Sequence, residues 1–220
     1  MTAAGSEREA PPLEQLAEKL ARAMPALDAD GQRLSIALYR LLAEGKPVPP
    51  RRLAEEAGVT AKAVNERLDA WPGVYFGEGG VVGFWGLALE GMPHRLTAGG
   101  IELRAWCAWD TLFLPELIGT QAAVESACAV TGEAVTVTVD PPNGVSDVSP
   151  ETAVLSFLQP DRPFDADVVM SFCHFVHFFQ DSAVAERWTS EQAGTFALSV
   201  DDGFEVGRLT NRARFGGVLQ

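Results

Sequence analysis

Two thiols and a carboxylate are the residues of this chain whose types and spacing can do chemistry. In Arg104-Ala-Trp-Cys107-Ala-Trp-Asp110-Thr-Leu-Phe-Leu-Pro115 a cysteine stands three residues before an aspartate. On a helix that spacing puts both side chains on one face, close enough for a proton to pass between them. A helix beginning near Arg104 or Ala105 places Cys107 in its first turn, where the positive end of the dipole lowers a thiol pKa, and Asp110 in the next turn as proton acceptor or donor. A second thiol lies in Ser171-Phe-Cys173-His174-Phe-Val-His177-Phe-Phe179, read as a strand or a turn entering one. The plain alternative for each cysteine is burial as a small hydrophobe. For Cys173 with His174 and His177, a zinc site needs a further ligand and the usual paired spacing, and neither is evident. Cys128, the third of three cysteines, precedes a turn at Thr131-Gly132 and reads as structural.

The elements that must position these groups divide the chain. Residues 1–12 read as a flexible tail. Leu13, Leu16, Ala17, Leu20, Ala21 and Met24 have helical spacing closed by Pro25, and Leu34, Ala37, Leu38, Leu41 and Leu42 repeat it before a stop at Gly45. Pro49-Pro50 opens a short helix over 51–57 ended by Gly58, and Thr60 is the expected N-cap of another. With short strands 74–76 and 81–84 around Gly77-Glu-Gly-Gly80, this makes a helix-turn-helix with a hairpin wing, a winged-helix-like domain over 13–89. The remainder, 90–220, begins as a connector leading into an edge strand. It continues with a buried helix over 105–118, broken or ended near Pro115, strands 134–139, 153–158 and 196–200, and helices 182–192 and 202–215. The fold class is α+β: a winged-helix-like helical domain, then a mixed α/β catalytic domain with a largely antiparallel sheet.

Bulk properties narrow the function. The 220 residues are 47% hydrophobic, ample for a core, and no apolar run approaches the length of a membrane span. The N-terminus lacks the features of a secretion signal, and three cysteines without a framework suit a reducing compartment, so the cytoplasm is expected. A formal charge of −13 opposes general nucleic-acid binding. The winged-helix region could still carry a basic face, but residues 28–71 hold seven basic and seven acidic side chains, and the recognition helix has two of each sign. DNA readers ordinarily bring surplus cations for phosphates, so DNA is not expected as a partner and the module reads as a wing packed on the second domain.

Trp106-Cys107-Ala-Trp-Asp110-Thr-Leu112 together with Ser171-Phe-Cys173 and Val176-His-Phe-Phe179 resembles the organomercurial (alkylmercury) lyase family over nearly the full chain. The segment Cys128-Ala-Val-Thr-Gly132 matches the family as well, with a cysteine used structurally there. Some members carry a further cysteine where this chain has His174, which removes any help from a neighbouring thiol in metal release. The resemblance implies that Cys107 and Cys173 capture R–Hg⁺ and that Asp110 delivers a proton to the departing carbon. The products would be a hydrocarbon and Hg(II) held by the two sulfurs. Soft mercury suits two thiolates. Mercury is then substrate and product, no organic cofactor is needed, and the implied partners are organomercurials, low-molecular-weight thiols and a mercuric reductase. The competing reading is a winged-helix regulator that senses a thiophilic metal, and a third is a relative that only carries the ion. Asp110 argues against both, because a sensor or carrier needs thiolates but no proton donor.

Overall fold

The computed structural model describes residues 10–219, so the tail expected over 1–12 lies, up to residue 9, outside the described residues. Four helices come first: α1 (Leu13–Ala23), α2 (Ala29–Leu42), α3 (Pro50–Ala57) and α4 (Ala61–Ala70). Their ends follow local chemistry. Asp28 caps α2 by accepting from the Gly31 N–H, Gly58 ends α3 in the left-handed region at φ 67°, and Thr60 caps α4 by accepting from the Ala63 N–H. The cations of α4 are occupied within the protein. Arg67 forms a two-pronged bond with Asp28, the N-cap of α2, and Lys62 pairs with Glu66.

The wing strands β1 (Val74–Gly77) and β2 (Gly80–Phe84) form the expected hairpin, and Val48 bridges to Val81 beside it. They continue through β3 (Leu87–Ala88) into β4 (His94–Ala98), β5 (Ile101–Ala105), β6 (Ala122–Ala127), β7 (Ala134–Asp140) and β8 (Gly144–Ser149). The result is one eight-stranded antiparallel sheet in the order β1-β2-β3-β5-β4-β6-β7-β8, which runs without interruption across residue 89. Where a connector leading into an edge strand was expected, β4 forms and is internal, paired with both β5 and β6. Its alternation explains this: His94, Leu96 and Ala98 are buried, while Arg95 on the other face pairs with Glu102 and Glu125 on the flanking strands.

A second, three-stranded sheet orders β10 (Phe178–Phe179), β9 (Val154–Leu158) and β11 (Thr195–Ser199). The helices of this half are α5 (Asp110–Ile118), α6 (Val168–Ser171), α7 (Ser182–Glu191) and α8 (Val200–Phe215). Helix α5 begins five residues later than the sequence suggests and runs through Pro115 to a left-handed cap at Gly119. Nearly every side chain of α5 is buried, so tertiary packing outweighs the proline. On one side α8 approaches it through small residues. A Cβ on Gly207 would lie 2.7 Å from that of Phe113, and Asn211 donates to the Phe113 carbonyl. One hydrophobic core runs from α1 through the large sheet to α8, and a small satellite surrounds Cys128.

Candidate active site

Cys107 sits in the turn between β5 and α5, and Cys173 opens a 3₁₀ turn over Cys173–Phe175 just after α6. The expectation of Cys107 within the first helical turn is therefore corrected: the helix starts at Asp110, and the thiol lies on the chain leading into it. Cys173 likewise stands in a turn before a strand rather than in one. Backbone bonds lace the two segments together. The Ala108 N–H donates to the Val176 carbonyl at 3.1 Å, and the Val176 N–H donates to the Cys173 carbonyl at 3.0 Å. Behind the turn, Ser156 on β9 donates its hydroxyl to the Phe175 carbonyl and accepts from the His177 N–H. On the other side, Thr111 Oγ1 donates to the Ala108 carbonyl and Trp109 Nε1 to the Gly203 carbonyl of α8.

This lacing brings Cys107, Asp110 and Cys173 together, with their ligand atoms all within 4.8 Å of one another. All three are buried. It is the one group of three or more potential metal-ligating side chains found among the described residues. His174 and His177 stay outside it, and the His177 ring bonds through Nε2 to the His174 carbonyl, so the zinc alternative gains no ligand set.

Protonation follows from burial. Burial pushes the Asp110 carboxyl up to about 7, against hydrogen bonds from the Cys107 side chain and from backbone N–H groups that favour the charged form. One of those, from Cys107 N to Oδ2, measures 2.8 Å. Burial, then the Cys173 thiol and the Asp110 charge, hold the Cys107 thiol well above its ordinary range. Contact with Cys107 draws Cys173 down, but burial and the Asp110 charge push it up, and the net direction is upward. The dipole-lowered thiol expected from the sequence is thus overturned, because desolvation exceeds any help from a helix that begins after the cysteine. Such a site holds two neutral thiols and a carboxyl that exchanges its proton near neutrality. It can shed protons to a soft electrophile and return one to a basic atom.

A narrow cavity of about 20 Å³, room for about one water, opens between Asp110 and Cys173. Its walls include Tyr39 from α2, Trp85 and Gly86 from the β2–β3 turn, Phe164, and Arg214 from α8. Sequence reasoning did not find these residues. Tyr39 lies on the buried face of α2 as one more hydrophobic position, and only the fold shows its hydroxyl donating to the Trp85 carbonyl at 2.9 Å. That bond helps hold Trp85 at the unusual φ of 29°.

The geometry has a counterpart among known proteins. Residues 87–211 match the family model described as alkylmercury lyase, and residues 11–85 match that of its helix-turn-helix domain. The chain belongs to the alkylmercury lyase family. An alkylmercury lyase of Staphylococcus epidermidis is 42% identical over 171 residues, 78% of each chain, and one of Streptomyces lividans is 36% identical over 206 residues, 93% of this chain and 94% of that one. A solved structure described as the mercury-bound form of MerB2 shares the fold at a TM-score of 0.68 and 22% identity, covering 91% of this chain and 98% of that one. The helix-turn-helix is thus a part of the alkylmercury lyase itself, and the transcriptional-regulator reading is set aside. Among the described residues no helix is long and apolar enough to cross a membrane.

Proposed function

We propose that this alkylmercury lyase cleaves the carbon–mercury bond of organomercurials by protonolysis, with Cys107 and Cys173 as mercury ligands and Asp110 as the proton carrier. The observation that supports these roles is the approach of two thiols and one carboxyl within 4.8 Å of one another in a buried site. A carbanion is too unstable to leave unassisted in water. The barrier falls when sulfur donation to mercury polarises the bond while a positioned acid protonates the carbon.

The protons balance. The first cysteine exchanges with the thiolate that carries R–Hg⁺ and releases that carrier as a thiol. The second cysteine passes its proton to the Asp110 carboxylate and binds mercury. Asp110 then gives the same proton to the carbon as the bond breaks, leaving R–H, Hg(II) between two sulfurs, and a carboxylate ready for another cycle. An acid whose pKa lies near 7 suits both halves of that traffic. No organic cofactor enters this sequence of steps. External low-molecular-weight thiols, or a mercuric reductase, would remove the bound Hg(II), and both belong with a cytoplasmic setting.

The test is benzene release from phenylmercury with excess thiol. Wild-type protein is expected to turn over many times, while Cys107→Ala and Cys173→Ala bind mercury more weakly and release no benzene above background. Tight mercury binding by wild type with no hydrocarbon product would overturn the reading.

A further inference from the structure

Arg214, in the last turn of α8, presents its side chain to the same cavity as Asp110 and Cys173. Its side chain is half-buried and lies over the Phe215 ring, 5.0 Å from the centroid. Its single hydrogen bond among the described residues is a long one, 3.4 Å, to the Pro25 carbonyl. None of the ion pairs among the described residues includes it. Burial works against its charge, and the ionisable neighbour acting the other way is Tyr39, whose hydroxyl is itself held neutral by burial and spent on the Trp85 carbonyl. A guanidinium stays protonated in proteins, so the cavity wall carries a cation with an aromatic and a carbonyl neighbour but no carboxylate among the described residues. Even a partial loss of water around such a charge favours pairing with an anion.

A second polar group on the same wall is also unspent. The indole N–H of Trp106, next to Cys107, is buried and has no hydrogen-bond partner. The remaining walls are largely aromatic. Once widened from its about 20 Å³ to admit an organic group, an apolar chamber with a reactive acid, a guanidinium lacking a carboxylate and an unpaired N–H donor suits an apolar ligand that ends in a small anion. A carboxylate meets these donors best, since its two oxygens match the planar fork of arginine.

We propose that Arg214 is a specificity-determining residue that binds a carboxylate in the cavity, carried either on the organic group of the organomercurial or on the thiol that delivers the mercury. This rests on the reading that cleavage takes place at Cys107, Asp110 and Cys173.

The test uses the full chain and two ratios of kcat/KM. The first compares 4-carboxyphenylmercury with its neutral isostere 4-carbamoylphenylmercury, both presented by 2-mercaptoethanol. The second compares phenylmercury presented by 3-mercaptopropionate with phenylmercury presented by 3-mercaptopropionamide. In wild type at least one ratio should favour the carboxylate by about tenfold, the scale of one charge-assisted pair. Arg214→Met should bring that ratio close to one, and Arg214→Lys should restore part of it. A response in the first ratio names the organic group as the source, and a response in the second names the thiol. Should Arg214→Met fail to fold, the wild-type ratios and Arg214→Lys still decide. Both wild-type ratios near one, or ratios unmoved by substitution, overturn the inference while leaving the cleavage reading intact. Wild-type protein that cleaves none of these compounds sinks the cleavage reading, and the inference with it.

Discussion

Gly86 lies directly against the carboxylate of Asp110: a Cβ built on Gly86 would stand 2.7 Å from Oδ1 and 2.8 Å from Cγ. The glycine has φ 93°, a conformation other residues avoid, and its carbonyl accepts from the Trp106 N–H at 2.9 Å. A turn at the end of the wing therefore fixes the acid of the site from behind. Gly86→Ala is expected to displace Asp110 and to cost about 1–3 kcal/mol from overpacking and strain. Cleavage should fall by more than the lost stability explains. Urea denaturation and initial rates on the same preparation check this, and a variant with wild-type rate and stability would show that the contact is not constraining.

Asp110 should also leave a mark on stability. Its folded pKa is raised from the ordinary 3.8 to about 7, so folding takes up a proton in that interval. The contribution is fully present below pH 3.8 and is lost as pH rises through about 7. Asp110→Asn, which cannot ionise, should therefore gain stability relative to wild type across that window, on the order of a few kcal/mol, and level off above it. Denaturant midpoints from pH 4 to 8 measure the difference, and a constant offset would contradict the buried-acid assignment.

Cys128 belongs to a different environment. It packs with Phe179, Val184 and Ala185 in the satellite cluster, and its carbonyl accepts from the Gly132 N–H in the turn before β7. Cys128→Ala should cost about 1–2 kcal/mol of stability and leave turnover per folded molecule near wild type. Thermal denaturation alongside benzene release separates the two, and a folded but inactive variant would mean that the third thiol has a role in cleavage.

Phe164 walls the cavity beside Asp110 and Cys173. Its ring stands 5.0 Å from that of Phe172 and 6.3 Å from that of Trp85, and its N–H donates to the Ala23 carbonyl on α1. The cavity of about 20 Å³ has to widen to take an aryl group, and the Phe164 ring is one of its walls. Phe164→Ala should raise kcat/KM for 1-naphthylmercury relative to methylmercury by several-fold, at a stability cost of about 1–3 kcal/mol. Competition between the two substrates measures the ratio directly, and an unchanged ratio would place the size limit elsewhere.

How much of this was legible follows from whether each signal was local. The spacing of Leu13, Leu16 and Leu20, the Thr60 cap and the β-branched alternation of β7 act within a few residues, and α1, α4 and β7 form where they point. Strand β6 reads Ala-Ala-Val-Glu-Ser-Ala, with low strand propensity, and exists because β4 and β7 pair with it on both sides. The start of α5 was misplaced because the apolar run gives no cap: Trp109 makes no side-chain capping bond. In the site, Cys107, Asp110 and Cys173 stood out by residue type, and the fold brings them together. Tyr39, Gly86 and Arg214 did not, because each matters only through contacts between distant segments.

The most direct test of the central claim is single-turnover cleavage of phenylmercury by Asp110→Asn, with mercury bound to the protein measured in the same samples. Asparagine keeps the size of the side chain and an acceptor for the Cys107 N–H, but cannot carry the proton. The expected result is phenylmercury retained on the protein while benzene release slows by about 10²–10⁴-fold, the usual contribution of a general acid. Benzene release at the wild-type rate from this variant would contradict proton delivery by Asp110.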